Sequence, residues 1–232
     1  MRFFVLLQGE LWALKRNKRI HMFVIMMLGM AAIWAIGNPD GSTFFPVLAI
    51  TTAYTSVWNQ TVSSLAEEKE RRTLEALLLT PARPLEILAA KASSGVLLAT
   101  FLTAASLLLF RRAPGAPLVL LIGFLLCLGF AAASGLLAGI LVKDMKSSSL
   151  HWTAALGLLV GGSIYPWHQH PGDSAFATAM HWFPVRPVEE LIWGGWTGAP
   201  VPLLHNSLVM LAYILVLLAI GTRILRHQAT NR

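Results

Sequence analysis

The sequence predicts an all-α membrane protein with six transmembrane helices, and three observations carry that expectation. Of its 232 residues, 56% are hydrophobic and only 12% charged, about half the charged share of a soluble globular domain. The apolar residues gather into runs that reach the roughly 20 residues a helix needs to cross a bilayer. The basic residues are also sorted: with six crossings, fifteen of the 18 fall on one side. They cluster before the first span, in a central polar stretch, between the fourth and fifth spans, and after the last. Only Arg111, Arg112 and Arg186 fall on the other side. Cytoplasmic loops carry this excess, so both termini are expected in the cytoplasm of a cell bounded by this membrane.

Residues 1–17 open the chain. Phe4, Leu7, Leu11 and Leu14 share a helical face, with Gln8, Glu10, Lys15 and Arg16 mostly elsewhere, the pattern of a helix lying in the membrane interface. The apolar run after it lacks a small-residue cleavage site, so no cleaved signal peptide is expected.

The first span is expected over 20–37, and the breaker-rich NPDGST then forms an outer turn. The second, 44–65, is unusually polar. Its Thr51, Tyr54, Thr55, Trp58 and Asn59 either bridge to neighbouring helices, as polar groups in spans commonly do, or line a transport path at a dimer axis. The third span covers 89–110 and RRAPGAP follows as a tight turn. The fourth, 118–142, and fifth, 150–165, each carry a G-x-x-x-G, Gly135/Gly139 and Gly157/Gly161, which permits close helix packing.

Residues 166–200 are neither a clean span nor a plain loop. Four of the eight tryptophans lie here, as at an outer interface. Pro184 and Pro187 break the chain before the short amphipathic VEELIWGGW. Glu189 and Glu190 would be the external glutamates, solvated among headgroups beside Arg186. A last span over 201–222 leads into a basic tail.

The stretch AEEKERRTLEALLLTPARPLEILAAK, from 66 to 91, organises the rest. Leu74, Leu77 and Leu78 share a helix face, and Glu67–Arg71 and Glu68–Arg72 are i,i+4 pairs. Pro81 and Pro84 interrupt the helix, and Pro84 is suited to open the next. A charged helix with an apolar stripe belongs outside lipid, and the stripe needs a cover.

These residues resemble the signature of ABC-2 type permeases, the membrane halves of ABC exporters: an acidic-basic run, T-L-E-x-L-L, T-P, then an acidic residue and a lysine opening the next span. The resemblance implies one transmembrane domain, with residues 1–17 as an elbow helix, 66–88 as a coupling segment and 166–200 as an external re-entrant hairpin. By the same resemblance, Glu67, Glu68, Arg71, Arg72, Leu74, Glu75, Leu77 and Leu78 would dock on a separate ATPase. Pro184, Pro187, Glu189 and Glu190 would belong to an external gate. The partners implied are two ATPase subunits, which bind the ATP and Mg, and a second permease copy, in a cytoplasmic membrane. The cargo would be amphipathic, lipid-like or drug-like.

Other readings fit less well. No G-x-x-x-x-G-K-[ST] phosphate loop occurs, so ATP would have to be bound by another chain. The formal charge of +7 follows topology and does not call for nucleic acid. The single cysteine, Cys127, excludes an internal disulfide. His168, His170, Asp173 and His181 form only a weak metal pattern. Glu67, Glu68 and Arg72 satisfy E-E-x-x-x-R, which resembles the first motif of intramembrane CAAX-type metalloproteases, but that family's histidine motifs are missing. An ion or secondary transporter would need ionisable groups inside its spans, and these are nearly free of them.

Overall fold

The computed structural model describes residues 2–37, 44–70, 84–110, 112–142 and 183–230. Among these residues the secondary structure is helical, in seven helices: α1 (Arg2–Arg16), α2 (Lys18–Gly37), α3 (Phe44–Glu70), α4 (Pro84–Leu109), α5 (Pro117–Leu141), α6 (Val185–Thr197) and α7 (Leu203–Thr230). Four segments are long and apolar enough to cross a membrane: Ile20–Gly37, Ala89–Leu109, Pro117–Leu141 and Leu203–Ile224. Helix α3 has 27 residues, hence a length of about 40 Å against a hydrocarbon core of about 30 Å. It is long enough to span, and its hydroxyls and amides keep it from being equally apolar. The expected outer turn 38–43, the coupling residues Arg71, Arg72, Leu74, Glu75, Leu77 and Leu78, and the expected fifth span with Gly157 and Gly161 lie outside the described residues. So do His168, His170, Asp173 and His181.

Helix α3 is the centre of the bundle, packed between α4 and α5. Glycines make both crossings close. A Cβ on Gly95 of α4 would lie 2.8 Å from the Val57 Cα, and one on Gly135 of α5 would lie 3.1 Å from the Trp58 Cα. Gly139 faces Leu65 one turn further on. The Gly135/Gly139 motif thus packs α5 on α3, as small residues do where helix backbones meet in membranes. Several polar groups of α3 that face protein find partners there, while the buried hydroxyls of Thr52 and Ser56 have none. Thr61 donates to the Val57 carbonyl at 2.6 Å, and the Tyr54 hydroxyl lies 3.2 Å from Ser134 Oγ. Outer helices α2 and α7 leave most of their apolar surface uncovered, as lipid-facing helices should.

The two ends of the bundle differ. At one end Phe45 stacks on Trp196, with ring centroids 4.1 Å apart, and Phe110 meets both edge-on. Helix α6 is held there by backbone bonds, Gly115 N–H to the Trp196 carbonyl at 3.0 Å and Ala116 N–H to the Gly195 carbonyl at 2.9 Å. Its 13 residues reach about 20 Å, too short to span. It closes on Gly198 in the left-handed region, φ 80°, where glycine carries no Cβ penalty. At the opposite end, α1 lies on α4. Its Phe4, Val5, Leu11 and Trp12 are exposed, the surface an interfacial helix presents to lipid.

Candidate coupling site and polar cavity

The end of the bundle where α1 lies is built around Lys91, the first basic residue within α4 and almost fully buried. An ammonium has three donors, and each finds an acceptor: Glu10 Oε1 of α1 at 2.9 Å, Glu68 Oε1 of α3 at 2.6 Å and Ser64 Oγ of α3 at 2.9 Å. One cation therefore ties three helices together. Burial pushes the Glu68 carboxyl above its ordinary range, and the Lys91 ammonium beside it opposes that shift. Of the eight residues assigned to ATPase docking, Glu68 is thus turned inward onto Lys91, while Glu67 lines a cavity beside it. Arg71 to Leu78 lie beyond the described residues.

Next to Glu68, Lys69 reaches the end of α5. Its Nζ donates to the carbonyls of Gly139, Ile140 and Val142 at 2.9, 2.5 and 2.8 Å. The final carbonyls of a helix lack partners within it and carry its negative dipole end, so a lysine there is doubly favoured. Burial lowers the Lys69 pKa from the usual lysine value. The root of the 66–88 segment is thereby bonded to α1, α4 and α5 at once.

On the other side of this cluster is a cavity of about 620 Å³ between α1, α2, α3 and α4. Thr55, Ser56, Asn59, Gln60, Ser63, Ser64, Glu67 and Glu70 of α3 form its polar wall, joined by Glu10 and Asn17; Ile20, Phe23 and Leu98 face it with apolar groups. The five residues offered as a transport stripe divide here. Thr55 and Asn59 line the cavity. Tyr54 and Trp58 turn to α5, toward Ser134, Phe130 and Gly135. Thr51 is half-buried and its carbonyl accepts the Thr55 hydroxyl at 2.7 Å. The cavity wall was legible in another register: 56, 59, 60, 63, 67 and 70 repeat at helical spacing as an unbroken polar stripe. Lys91 had a weaker signal, a lone cation entering an apolar span and therefore needing a partner.

At the far end, Pro184 precedes α6 and Pro187 sits in its first turn, where a missing N–H costs little. Glu190 accepts from Arg186 Nε at 3.0 Å and from Asn206 Nδ2 of α7 at 2.9 Å. Glu189 is 6% exposed, and its Oε2 has no hydrogen-bond partner. The expectation that both glutamates are solvated is therefore corrected: α6 buries one against the bundle and pairs the other. Burial pushes Glu189 up to about 8, with Arg186 pulling it down and Glu190 adding to the rise.

A raised folded pKa means that the protonated carboxyl is the one the fold accommodates. That stabilisation is complete below the ordinary carboxylate value and is lost as pH rises through about 8. The melting temperature of the purified protein should thus fall between pH 6 and pH 9, and Glu189→Gln should flatten that fall. Parallel melting curves for the two proteins would refute a buried, protonated Glu189.

Among the described residues, no group of three His, Cys, Asp or Glu side chains is placed to hold a metal ion. Glu68 of the E-E-x-x-x-R match is engaged by Lys91. No curated protein matches the chain significantly. The family model described as ABC-2 family transporter protein matches residues 41–223, from the start of the polar α3 into α7. This multi-pass membrane protein belongs to the ABC-2 transporter family.

Proposed function

We propose that the chain is the permease subunit of an ATP-driven exporter, paired with a second copy of itself and driven by two separate ATPase subunits that bind ATP and Mg. It works in the cytoplasmic membrane with the elbow end in the cytosol, as its basic residues favour. Leu74, Leu77 and Leu78 fill an apolar groove on the ATPase, while Glu67, Arg71, Arg72 and Glu75 orient the docked helix at its rim. The observation that carries this reading is the wiring of the segment's root. Through Glu68–Lys91–Glu10 and through Lys69, any push on residues 71–79 is delivered to α1, α3, α4 and α5 together. At the outer end, α6 with Pro184, Pro187, Glu189 and Glu190 serves as the external gate. The cargo is amphipathic, lipid-like or drug-like, and moves outward.

The test is reconstitution with the soluble subunit that co-purifies with the tagged chain and carries a phosphate-binding loop. Leu74, Leu77 and Leu78 changed together to alanine should reduce co-purification at least tenfold. Arg72→Glu should keep the complex but lower transport per ATP hydrolysed. Normal assembly and normal transport by both variants would overturn the docking assignment.

A further inference from the structure

We propose that the corner between α1 and α2 is a binding site for an anionic phospholipid, with its phosphate among Lys15, Arg16 and Lys18 and an acyl chain along the outer face of α2. The site needs no ATPase partner. It is built by the turn at Asn17, whose N–H donates to the Leu14 carbonyl at 3.2 Å and whose own carbonyl accepts the Ile20 and His21 N–H groups at 3.1 and 3.3 Å. Lys15 and Arg16 end α1, Lys18 opens α2, and all three are exposed. The candidate span begins at Ile20, so these cations stand at headgroup depth. Trp12 is exposed beside them, with Lys15 Nζ 5.8 Å from its ring, as suits an aromatic side chain of the headgroup belt.

The acidic residues decide the sign of the guest. Residues 1–37 hold one carboxylate, Glu10, and Lys91 of α4 engages it at 2.9 Å. Among the described residues, none of the three corner cations is part of an ion pair. An anion from outside the chain meets no competitor on these two helices.

The face below the corner takes the tail. Lys18, Met22, Ile25, Gly29, Ile33 and Ile36 recur every three or four residues and so form one stripe along α2. Met22, Ile25, Ile33 and Ile36 are between 69% and 84% exposed, and a Cβ on Gly29 would meet nothing within 4 Å. Met27 and Ala31, on the opposite side, are buried. From Met22 to Ile36 the track is about 21 Å long, more than the ~15 Å of hydrocarbon in one leaflet. A cation directly above such a track matches a lipid, phosphate at the top and chain beneath. A second copy seated there, about a two-fold axis along the membrane normal, would bring the two Lys18 ends together, like charge against like.

The probes are dioleoyl phosphatidylglycerol and dioleoyl phosphatidylcholine, titrated separately into the purified chain in a non-ionic detergent. Native mass spectrometry counts the lipids retained. One phosphatidylglycerol per chain should be held at a concentration about tenfold lower than phosphatidylcholine requires, and excess inorganic phosphate should not displace it. Lys15→Gln with Lys18→Gln should remove most of that preference, whereas Lys15→Arg with Lys18→Arg should keep it, which separates lost charge from lost fold. Arg111→Gln with Arg112→Gln, an equal loss of charge at the other end of the bundle, should also keep it. Equal retention of the two lipids, or a preference that survives Lys15→Gln with Lys18→Gln, would overturn the proposal. So would efficient disulfide formation between two Ile25→Cys chains in the membrane, because a second copy would then occupy the stripe; the native thiol, Cys127, is buried.

Discussion

Methionine at Lys91 is expected to destabilise the junction of α1, α3 and α4 more than any other single polar change. The lysine side chain is 3% exposed and holds two carboxylates that are themselves mostly covered, at 17% and 18% exposure. Methionine preserves the stem and deletes the charge, leaving Glu10 and Glu68 facing each other with no cation between them. Breaking a buried ion pair from one side costs about 3–5 kcal/mol, and the partial exposure of both glutamates places this case near about 3 kcal/mol. For a protein of this size that is a fall in melting temperature on the order of 10 °C. Adding Glu10→Gln and Glu68→Gln to the methionine variant should recover most of the loss, because the uncompensated charges are then gone. On the proposed permease reading, the recovered triple variant should still respond poorly to an ATPase partner, since α1 is no longer fastened to α3 and α4. Thermal unfolding in nanodiscs reads the first effect and ATP-driven transport the second. A methionine variant that melts with the wild type would show that the cluster holds nothing together.

Leucine at Gly95 should prevent α3 and α4 from meeting at all. The added Cβ would stand 2.8 Å from the Val57 Cα and 3.2 Å from the carbonyl oxygens of Ser56 and Val57. All three are backbone atoms, which cannot swing aside as a side chain can. Alanine there should cost about 1–3 kcal/mol by overpacking, and leucine should abolish a monodisperse folded species in size-exclusion chromatography. Gly29 provides the control. A Cβ at that position meets nothing within 4 Å, so Gly29→Ala should be neutral or stabilising by up to about 1 kcal/mol through helix propensity. Equal behaviour of alanine at the two positions would mean that the α3–α4 crossing is not set by Gly95.

Much of this architecture can be read from local pattern. Span positions follow from runs of apolar residues, which is why the helix at 20–37 and the start of α4 at Pro84 match expectation. The Gly135/Gly139 pair packs against α3 because closely approaching backbones demand small residues wherever they cross. What pattern could not settle is which neighbour each face of α3 meets. Tyr54 and Thr55 are adjacent and polar, yet one turns to α5 and the other to a cavity. Deciding between them requires the placement of α5, whose Ser134 is eighty residues away. The Lys91 and Lys69 contacts are likewise made across 81 and 70 residues, with no spacing rule to join them. Glu189 misled because an acidic residue beside an arginine in an outer segment reads as solvated. Only the docking of α6 on the bundle shows that its neighbour Glu190 takes the arginine instead.

Lys69 has a mechanical consequence. By gripping the last carbonyls of α5 while Gly135 and Gly139 seat that helix along α3, it fastens the two helices into a single stiff beam. A displacement applied at the root, as the proposed coupling requires, would then reach the other end of this beam with little sliding between the pair. The aromatic stack of Phe45 on Trp196 lies at the beam's far tip, so a small tilt below would pry open the contacts above.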